Sequence, residues 1–278
     1  MSILIRGGGD LASGVAYRLH QAGMRLIITE LPQPLVIRRL VSFSEAVHEG
    51  HFTIEGVTAR MCSDLTEVLA TQEHGEISVV VDQPAEIRFA LNPTVLIDAR
   101  MTKKTPDLGM NCAPFVIGLG PGFHAGENCH AVIETNRGHL MGRIIWKGTP
   151  QSDTGLPGEI GTQNAKRVLR APKAGVLKSI ANLCDQIMEG NLIAEIDVGS
   201  TKPDDRAVIT APFDGVLRGL LRDGTSVHVG MKIGDLDPRN DPHYCTLISD
   251  KSRAIGGAVL AAILSRTELR AHLWSTER

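Results

Sequence analysis

The sequence predicts an α/β protein in which a Rossmann-like, mostly parallel sheet is followed by a duplicated β barrel. Two observations lead to this prediction. Near the start, the apolar residues 2–6 run directly into a glycine-rich turn and then an amphipathic stretch, which is the order strand, turn, helix. In the second half, two stretches repeat each other at a spacing of 40 residues. We therefore expect a Rossmann-like domain over 1–160, a duplicated β-barrel domain over 161–250 with repeat units 168–196 and 208–236, and a C-terminal helix over 251–278.

The glycine-rich turn is the strongest indication of a ligand. Gly7, Gly9 and Ala12 match the G-x-G-x-x-G/A spacing, in which small residues let the backbone approach a pyrophosphate at a helix N-terminus. Glu30 ends the next predicted strand, where an acidic group accepts a ribose hydroxyl. Asp10, in contrast, would place a carboxylate close to the phosphates. We predict nucleotide or dinucleotide binding here, with a scaffold for another ligand and a purely structural turn as alternatives. The predicted binding residues of this turn and strand are Gly7, Gly8, Gly9, Asp10, Ala12 and Glu30.

The rest of the first domain alternates strand-like and helix-like segments, which favours a mostly parallel sheet. Apolar runs rich in β-branched residues, such as residues 77–81, are typical of strands buried on both faces. We predict further strands at 57–62, 77–81, 95–97 and 115–117, and helical stretches at 63–72 and around 84–89.

Polar residues follow several of these strands, and ligands of open α/β sheets bind beyond the carboxyl ends of strands. Asp98, Arg100 and Lys103 come after one strand, and their basic groups suit a phosphate or an anionic cofactor tail. A solvated basic loop is the alternative. After the last strand, a second glycine loop with Gly118, Gly120 and Gly122 is a further candidate for holding an anion.

Candidates for catalysis lie further along. Glu134, Arg137 and His139 form a polar group in a predicted hairpin-like turn, denser than a turn requires. Cys112 and Cys129 lie near two histidines around the second glycine loop, which raises the alternatives of an activated thiolate, a metal site or plain buried cysteines. Their spacing is not that of a metal site, and we predict no metal.

Bulk composition excludes several classes of protein. With 278 residues and 42% hydrophobic content the chain can bury a substantial core, and its net charge of −2 gives nucleic acid little to bind. The longest apolar run, residues 254–264, is too short to cross a bilayer, and the chain start lacks a signal-peptide layout. Five cysteines without zinc or disulfide spacing favour reduced thiols. We expect a cytoplasmic protein that binds neither nucleic acid nor membrane.

The repeated units share eight identities over 168–196 and 208–236, where chance would give roughly two. Their pattern Ala-Pro-x-x-Gly-Val-Leu, followed by a glycine and a short apolar strand, resembles half of the biotinyl/lipoyl carrier fold, a barrel-sandwich hybrid. Those carriers display a modified lysine between the halves, and Lys202 lies there in this chain. Its neighbours lack the carrier settings, so a structural or docking barrel is the expected role.

Together these passages resemble one family, the selenium-dependent molybdenum hydroxylase system proteins (the YqeB-type accessory family). The matching passages are 6–14, 38–43, 98–101, 117–123, 132–139, 218–220, 230–239 and 249–251. The resemblance implies an accessory role in maturing molybdenum hydroxylases of the xanthine-dehydrogenase type, with such an enzyme as client and a nucleotide or molybdopterin-type cofactor as ligand. A nucleotide-dependent oxidoreductase and a sulfur or selenium transferase using Cys112 or Cys129 are the alternatives. The C-terminal helix is expected to complete the core or to form an interface in a homo-oligomer.

Overall fold

The computed structural model describes residues 1–152, 165–199 and 207–274, which belong to two compact units. Unit 1 comprises Met1–Pro34, Ser42–Thr154 and Ile248–Arg278, and unit 2 comprises Leu35–Val41 and Gly155–Leu247. The predicted domain boundaries stay a prediction, which separate expression of the two parts would test.

Unit 1 is built on one nine-stranded sheet with helices packed against it. Its strands are β1 (Ser2–Arg6), β2 (Arg25–Glu30), β3 (His51–Ile54), β4 (Val57–Cys62), β5 (Ile77–Val81), β6 (Val95–Asp98), β7 (Phe115–Leu119), β8 (Ala131–Ile133) and β9 (Ile144–Ile145). Its helices are α1 (Asp10–Gln21), α2 (Ala46–Glu49), α3 (Leu65–Glu73), α4 (Arg88–Leu91), α5 (Asp250–Ser265) and α6 (Thr267–Trp274), with short 3-10 turns at Phe43–Glu45 and Met110–Cys112.

The strand order of this sheet is β3-β4-β5-β2-β1-β6-β7-β8-β9, and neighbours from β4 to β8 run parallel. The strand that follows β1 in the chain, β2, lies on one side of β1 in the sheet, and β6 lies on the other side of β1. The order therefore reverses between β1 and β6, and the carboxyl ends of these two strands flank the crevice where open α/β sheets bind ligands.

Both edges of the sheet depart from the predicted parallel pattern. β3 pairs antiparallel with β4, and β9 pairs antiparallel with β8. The first edge follows from a two-residue turn, Glu55 at φ 46° and Gly56 at φ 82°, because two successive positive φ angles make the tight turn of a β-hairpin. The sheet is therefore mixed, and the prediction of a mostly parallel Rossmann-like sheet is corrected to that extent.

The core of unit 1 is closed by the pairing of α1 with α5. A Cβ added at Gly256 would lie 2.5 Å from the carbonyl oxygen of Gly14, and one added at Gly14 would lie 2.5 Å from the Cβ of Ser252. The two helices can approach this closely only because side chains are missing there. Ile255 and Val259 of α5 are fully buried, so this helix completes the core of its own unit.

Among its described residues, unit 2 has eight strands in two four-stranded antiparallel sheets. The strands are β10 (Val168–Arg170), β11 (Gly175–Ser179), β12 (Gln186–Ile187), β13 (Leu192–Asp197), β14 (Ala207–Thr210), β15 (Gly215–Leu220), β16 (Ser226–Val227) and β17 (Lys232–Asp237). The sheets have the orders β10-β17-β15-β12 and β14-β13-β11-β16. Short 3-10 turns span Arg39–Val41, Ala165–Arg167 and Pro242–Cys245.

Each of these sheets combines strands from both stretches of the repeat, because β12 of the first stretch pairs with β15 of the second, and β16 of the second stretch pairs with β11 of the first. The described strands thus form two separate sheets and not one closed barrel. The predicted biotinyl/lipoyl-like barrel is wrong. Lys202 lies outside the described residues.

Within the described ranges, no helix combines the length and the apolar character that crossing a membrane requires.

Candidate functional site

A cluster of four charged side chains lies at the carboxyl ends of β1 and β6. Arg6 and Asp98 end these strands in register, and both are almost fully buried. Arg6 shares its face of the sheet with Leu4, because side chains alternate along a strand, whereas α1 packs on the opposite face through Ile3 and Ile5. We call Arg6, Asp98, Arg100 and Asp107 the switch-point cluster.

The cluster is held by charge-assisted hydrogen bonds. Arg6 donates from Nη1 to Asp107 Oδ1 (2.8 Å) and from Nη2 to Asp107 Oδ2 (3.1 Å) and to the carbonyl of Gln83 (2.9 Å). Arg100 donates to both carboxylate oxygens of Asp98 (2.9 and 2.5 Å) and to Asp107 Oδ1 (2.6 Å). Two guanidinium groups therefore converge on the carboxylate of Asp107.

Exposure separates the members of the cluster. The side chains of Arg6 and Asp98 are 1% and 2% exposed, whereas that of Asp107 is 56% exposed and comes from the irregular segment between β6 and the turn at 110–112. The Nε of Arg6 is also buried, and it has no hydrogen-bond partner among the described residues. A buried cation is thus neutralised in part by a carboxylate that faces solvent.

The pKa values reflect this arrangement. Hydrogen bonding to Arg6 is the largest effect on the pKa of Asp107, and together with the pairing to Arg100 it outweighs partial burial and places that pKa well below its ordinary range. Burial lowers the pKa of Arg100, but its hydrogen bonds and charge interactions with Asp98 and Asp107 prevail and raise it. Both groups stay ionised at neutral pH.

Sequence reasoning predicted Asp98 and Arg100 but missed Arg6 and Asp107. One signal for Arg6 was present, because a charged residue ended an otherwise apolar strand directly before the glycine turn. For Asp107 no local pattern points to a partner 101 residues away.

The first glycine loop is packed by the protein itself. Gly7 has a φ of 89°, and a Cβ there would lie 3.3 Å from the Cγ of Arg100. The N–H of Gly8 donates to Glu30 (2.6 Å), and its carbonyl accepts from the N–H of Ser44 (3.0 Å). The loop therefore lies between the switch-point cluster and the turn at 43–45.

The remaining predicted residues of this loop have structural partners. Gly9 precedes α1 without a side-chain cap, Asp10 accepts a hydrogen bond from Ser252 (2.8 Å), and Ala12 is buried in the core. Glu30 also accepts from the N–H of Leu31 (2.7 Å). Burial raises the pKa of Glu30, although the two backbone N–H donors act in the opposite direction.

The second glycine loop is filled by neighbouring chain. A Cβ at Gly118 would lie 2.2 Å from the Phe123 ring, and one at Gly122 would lie 2.3 Å from the carbonyl oxygen of Lys104. Gly120, at φ 101°, lies against Met101. These glycines allow the loop to pack on residues 101–104. Lys103, which was predicted to bind an anion, is exposed on that same segment.

Glu134, Arg137 and His139 are not brought together as a catalytic group. Glu134 is buried and accepts hydrogen bonds from the N–H groups of Asn136 and Gln151 (2.7 Å each), so it closes its own loop. Arg137 forms a two-point ion pair with Asp250 (2.7 and 2.9 Å), and His139 is exposed.

The two cysteines near the second glycine loop differ in burial. Cys129 is fully buried, and burial raises its pKa to about 11, which leaves it protonated at neutral pH. Cys112 is half-buried in the turn at 110–112. Within residues 1–152, 165–199 and 207–274, no group of three or more His, Cys, Asp or Glu side chains is arranged to hold a metal ion.

A cavity of about 510 Å³ opens elsewhere on unit 1, next to α3 and β4. It is lined by His51, Arg60, Glu67, His74 and Glu76 among others, and Arg60 pairs with Glu76 across 2.6 Å. Sequence reasoning did not predict this cavity.

The fold and the switch-point cluster define an α/β protein with a mixed sheet, in which two arginines share one carboxylate at the point where the strand order reverses. No protein-family model matches the chain. It is similar to a protein of Escherichia coli (strain K12) that is named "Uncharacterized protein YqeB", with 46% identity over 262 residues. The match covers 94% of this chain and 47% of the relative, so the chain spans about half the length of the curated relative it matches.

Among solved structures the chain is similar to an aspartoacylase family protein from Mesorhizobium loti (12% identity, TM-score 0.28, 84% of both chains covered). It is also similar to a succinylglutamate desuccinylase/aspartoacylase from Rhodobacter sphaeroides (11% identity, TM-score 0.28, 84% of this chain and 85% of the other). These TM-scores are too low to transfer a fold or an activity to this chain.

These comparisons correct the predicted resemblance. The chain was expected to resemble accessory proteins of selenium-dependent molybdenum hydroxylases, but the curated relative is named as uncharacterized and the solved structures carry aspartoacylase and desuccinylase names. The predicted maturation role, with its molybdopterin ligand, is therefore wrong. The alternatives of an oxidoreductase and of a sulfur or selenium transferase are withdrawn with it.

Proposed function

We propose that this protein binds a small phosphate-bearing ligand of the nucleotide class in the crevice between the carboxyl ends of β1 and β6. The observation that carries the proposal is the buried guanidinium of Arg6, which shares an exposed carboxylate with Arg100. Arginine forks match phosphate and carboxylate oxygens in the same planar geometry. A position that accepts the Asp107 carboxylate therefore suits a phosphate oxygen.

The surroundings of the crevice support the same ligand class. The turn at 7–9 leads directly into α1, whose N-terminal end favours negative charge. Glu30 ends β2 beside this turn and remains able to accept a hydroxyl, because each carboxylate oxygen has two acceptor sites. Arginines would hold the phosphate, and Glu30 would orient a ribose hydroxyl.

Asp107 occupies the proposed phosphate position when no ligand is bound. Its carboxylate is the member of the switch-point cluster that faces solvent, and it belongs to a segment without regular secondary structure. Binding of an anion would therefore require that Asp107 leave Arg6 and Arg100, while Asp98 keeps its pairing with Arg100. We further propose a cytoplasmic location, because the spacing of the five cysteines favours reduced thiols.

The test is calorimetric titration of the whole chain with adenosine 5′-diphosphate and with inorganic pyrophosphate. We expect saturable binding that Arg100→Gln weakens at least about tenfold, since one charge-assisted phosphate contact contributes roughly 1.5 to 3 kcal/mol. Arg239→Gln is the matched control, because Arg239 pairs with Asp237 at 2.9 and 2.5 Å, as Arg100 does with Asp98.

Two results would overturn the proposal. One is the absence of saturable binding of either probe to the unchanged protein. The other is an equal loss of affinity in Arg100→Gln and Arg239→Gln, which would indicate general destabilisation of the fold. Circular dichroism of both variants shows whether each remains folded.

A further inference from the structure

Two cysteines that are 61 residues apart in sequence meet within unit 2. Cys184 lies in the turn between β11 and β12, and Cys245 ends the 3-10 turn at 242–245. Both contact the carbonyl oxygen of Leu217, Cys184 through its N–H (3.0 Å) and Cys245 through Sγ (3.9 Å). The neighbouring Cys184 side chain also raises the pKa of Cys245. The fold thus brings the two cysteines to one carbonyl group.

The repeat supplies an internal comparison for Cys184. At a spacing of 40 residues its counterpart is Gly224. The Cys184 N–H donates to the carbonyl of Leu217 (3.0 Å), and the Gly224 N–H donates to that of Leu177 (2.9 Å), so the two turns make equivalent hydrogen bonds. Their φ angles are 74° and 80°.

This conformation suits glycine and is unfavourable for a residue with a side chain. The second turn has the expected glycine, whereas the first holds a cysteine in the left-handed region. Residues kept in strained conformations occur preferentially at functional positions. The side chain at 184 is therefore present against the backbone preference, and it carries the thiol that neighbours Cys245.

The two thiols differ in access. Cys184 is half-buried, whereas Cys245 has no exposed surface. Burial, followed by the neighbouring Cys184, raises the pKa of Cys245 to about 12. An external reagent therefore meets Cys184 first, and Cys245 reacts afterwards from inside.

We propose that Cys184 and Cys245 form a reversible intramolecular disulfide by exchange with a small disulfide such as oxidised glutathione. The Cys184 thiolate attacks one sulfur of the glutathione disulfide, forms a mixed disulfide and releases one glutathione thiolate. The Cys245 thiol then loses its proton to that thiolate or to water, attacks the Cys184 sulfur and releases the second glutathione. Two protein thiols are oxidised, and one glutathione disulfide is reduced to two thiols.

The experiment incubates the folded, reduced whole chain with oxidised glutathione, blocks the remaining thiols by alkylation and maps the peptides by mass spectrometry. We expect one cross-linked peptide pair joining Cys184 to Cys245, with the loss of two hydrogens, and its reversal by dithiothreitol. A stable mixed disulfide on Cys184 without any cross-link, or a disulfide between other cysteines, would overturn the proposal.

Two variants make the order of events visible. Cys184→Gly fits the backbone as Gly224 does, so it should fold and leave Cys245 unmodified under the same conditions. Cys245→Ser should accumulate the mixed disulfide on Cys184. If Cys245 in the Cys184→Gly variant reacts with glutathione as readily as Cys184 does in the unchanged protein, the assignment of Cys184 as the entry thiol is wrong.

Discussion

Asp107→Asn should make the protein bind phosphate-bearing ligands more tightly and, without ligand, make it less stable. The carboxylate of Asp107 receives two hydrogen bonds from Arg6 and one from Arg100, at 2.8, 3.1 and 2.6 Å. An amide of the same shape keeps one acceptor oxygen and loses the negative charge. The competing anion is then removed from the proposed phosphate position, while the two guanidinium groups remain.

The magnitude follows from these contacts. A buried hydrogen bond to a charged group contributes about 1.5 to 3 kcal/mol, but the Asp107 side chain is 56% exposed, so solvent reduces the value of the three contacts together to about 1.5 kcal/mol. We expect the unliganded variant to lose about that much stability. Its affinity for adenosine 5′-diphosphate or pyrophosphate should rise by about tenfold, because 1.4 kcal/mol corresponds to a factor of ten.

The assay combines calorimetric titration with urea unfolding in the absence of ligand. Asp250→Asn is the control, because Asp250 is an exposed carboxylate that forms a two-point ion pair with Arg137 in the same unit. The control should leave the affinity unchanged. If Asp107→Asn binds the probes with unchanged or weaker affinity while remaining folded, Asp107 does not compete with the ligand and the reasoning fails.

Three further predictions test the packing and the ionisation of the fold. Gly256→Ala should destabilise the protein by about 1 to 3 kcal/mol in urea unfolding, since the new methyl group would meet the backbone of α1. Gly257→Ala has open space and should stabilise the protein by about 0.5 to 1 kcal/mol. Equal effects of the two substitutions would refute the close packing of α1 on α5. Burial raises the pKa of Glu30 in the folded state, so the contribution of this group to stability is complete below its ordinary pKa and is lost as pH rises through the folded pKa. The Glu30→Gln variant lacks this ionisation and should therefore gain stability relative to the unchanged protein as pH rises from about 4.5 to neutral. A pH-independent difference between the unfolding free energies of the two proteins would contradict this. Cys184→Gly should stabilise the reduced protein by about 1 kcal/mol, and Gly224→Ala should destabilise it by a similar amount, because both turns require a left-handed backbone; the opposite signs in thermal unfolding would refute the equivalence of the turns.

The strands of unit 1 could be predicted because most are short apolar runs buried on both faces. The predicted strands at 57–62 and 77–81 coincide with β4 and β5. β3 was not predicted, since only one of its four residues is fully buried and its pairing depends on the tight turn at 55–56. Edge strands carry a weak hydrophobic pattern, so sequence periodicity does not reveal them.

The candidate site was predicted only where the relevant residues follow a strand. Asp98 and Arg100 could be found because the end of β6 is visible in the sequence. Asp107 could not, because its partner Arg6 is distant in sequence and Asp107 itself lies in the segment between β6 and the turn at 110–112, which has no regular secondary structure. The polar residues around Glu134 illustrate a related ambiguity. A buried carboxylate that satisfies backbone N–H groups has the same sequence signal as one that binds a ligand.

The same Asp-x-Arg arrangement occurs at the ends of two strands of this protein. Asp98 is the last residue of β6 and pairs with Arg100, and Asp237 is the last residue of β17 and pairs with Arg239. The pairing distances are 2.9 and 2.5 Å in both cases. Local sequence therefore produces the pair in both units. The pair by itself indicates a stable strand end and gives no reason to expect a ligand.

What differs is the second carboxylate of each network. In unit 2, Arg218 pairs with Asp237 and also with Asp235, which lies within β17 and whose side chain is 3% exposed, so the cations are neutralised by groups held in the sheet. In unit 1 it is Asp107, which is half-exposed and comes from an irregular segment. A carboxylate in that position can return to water at small cost, whereas the buried guanidinium of Arg6 cannot. Arg6 therefore needs an anion at this place, and the anion that Asp107 now supplies is the one member of the network that a ligand can replace.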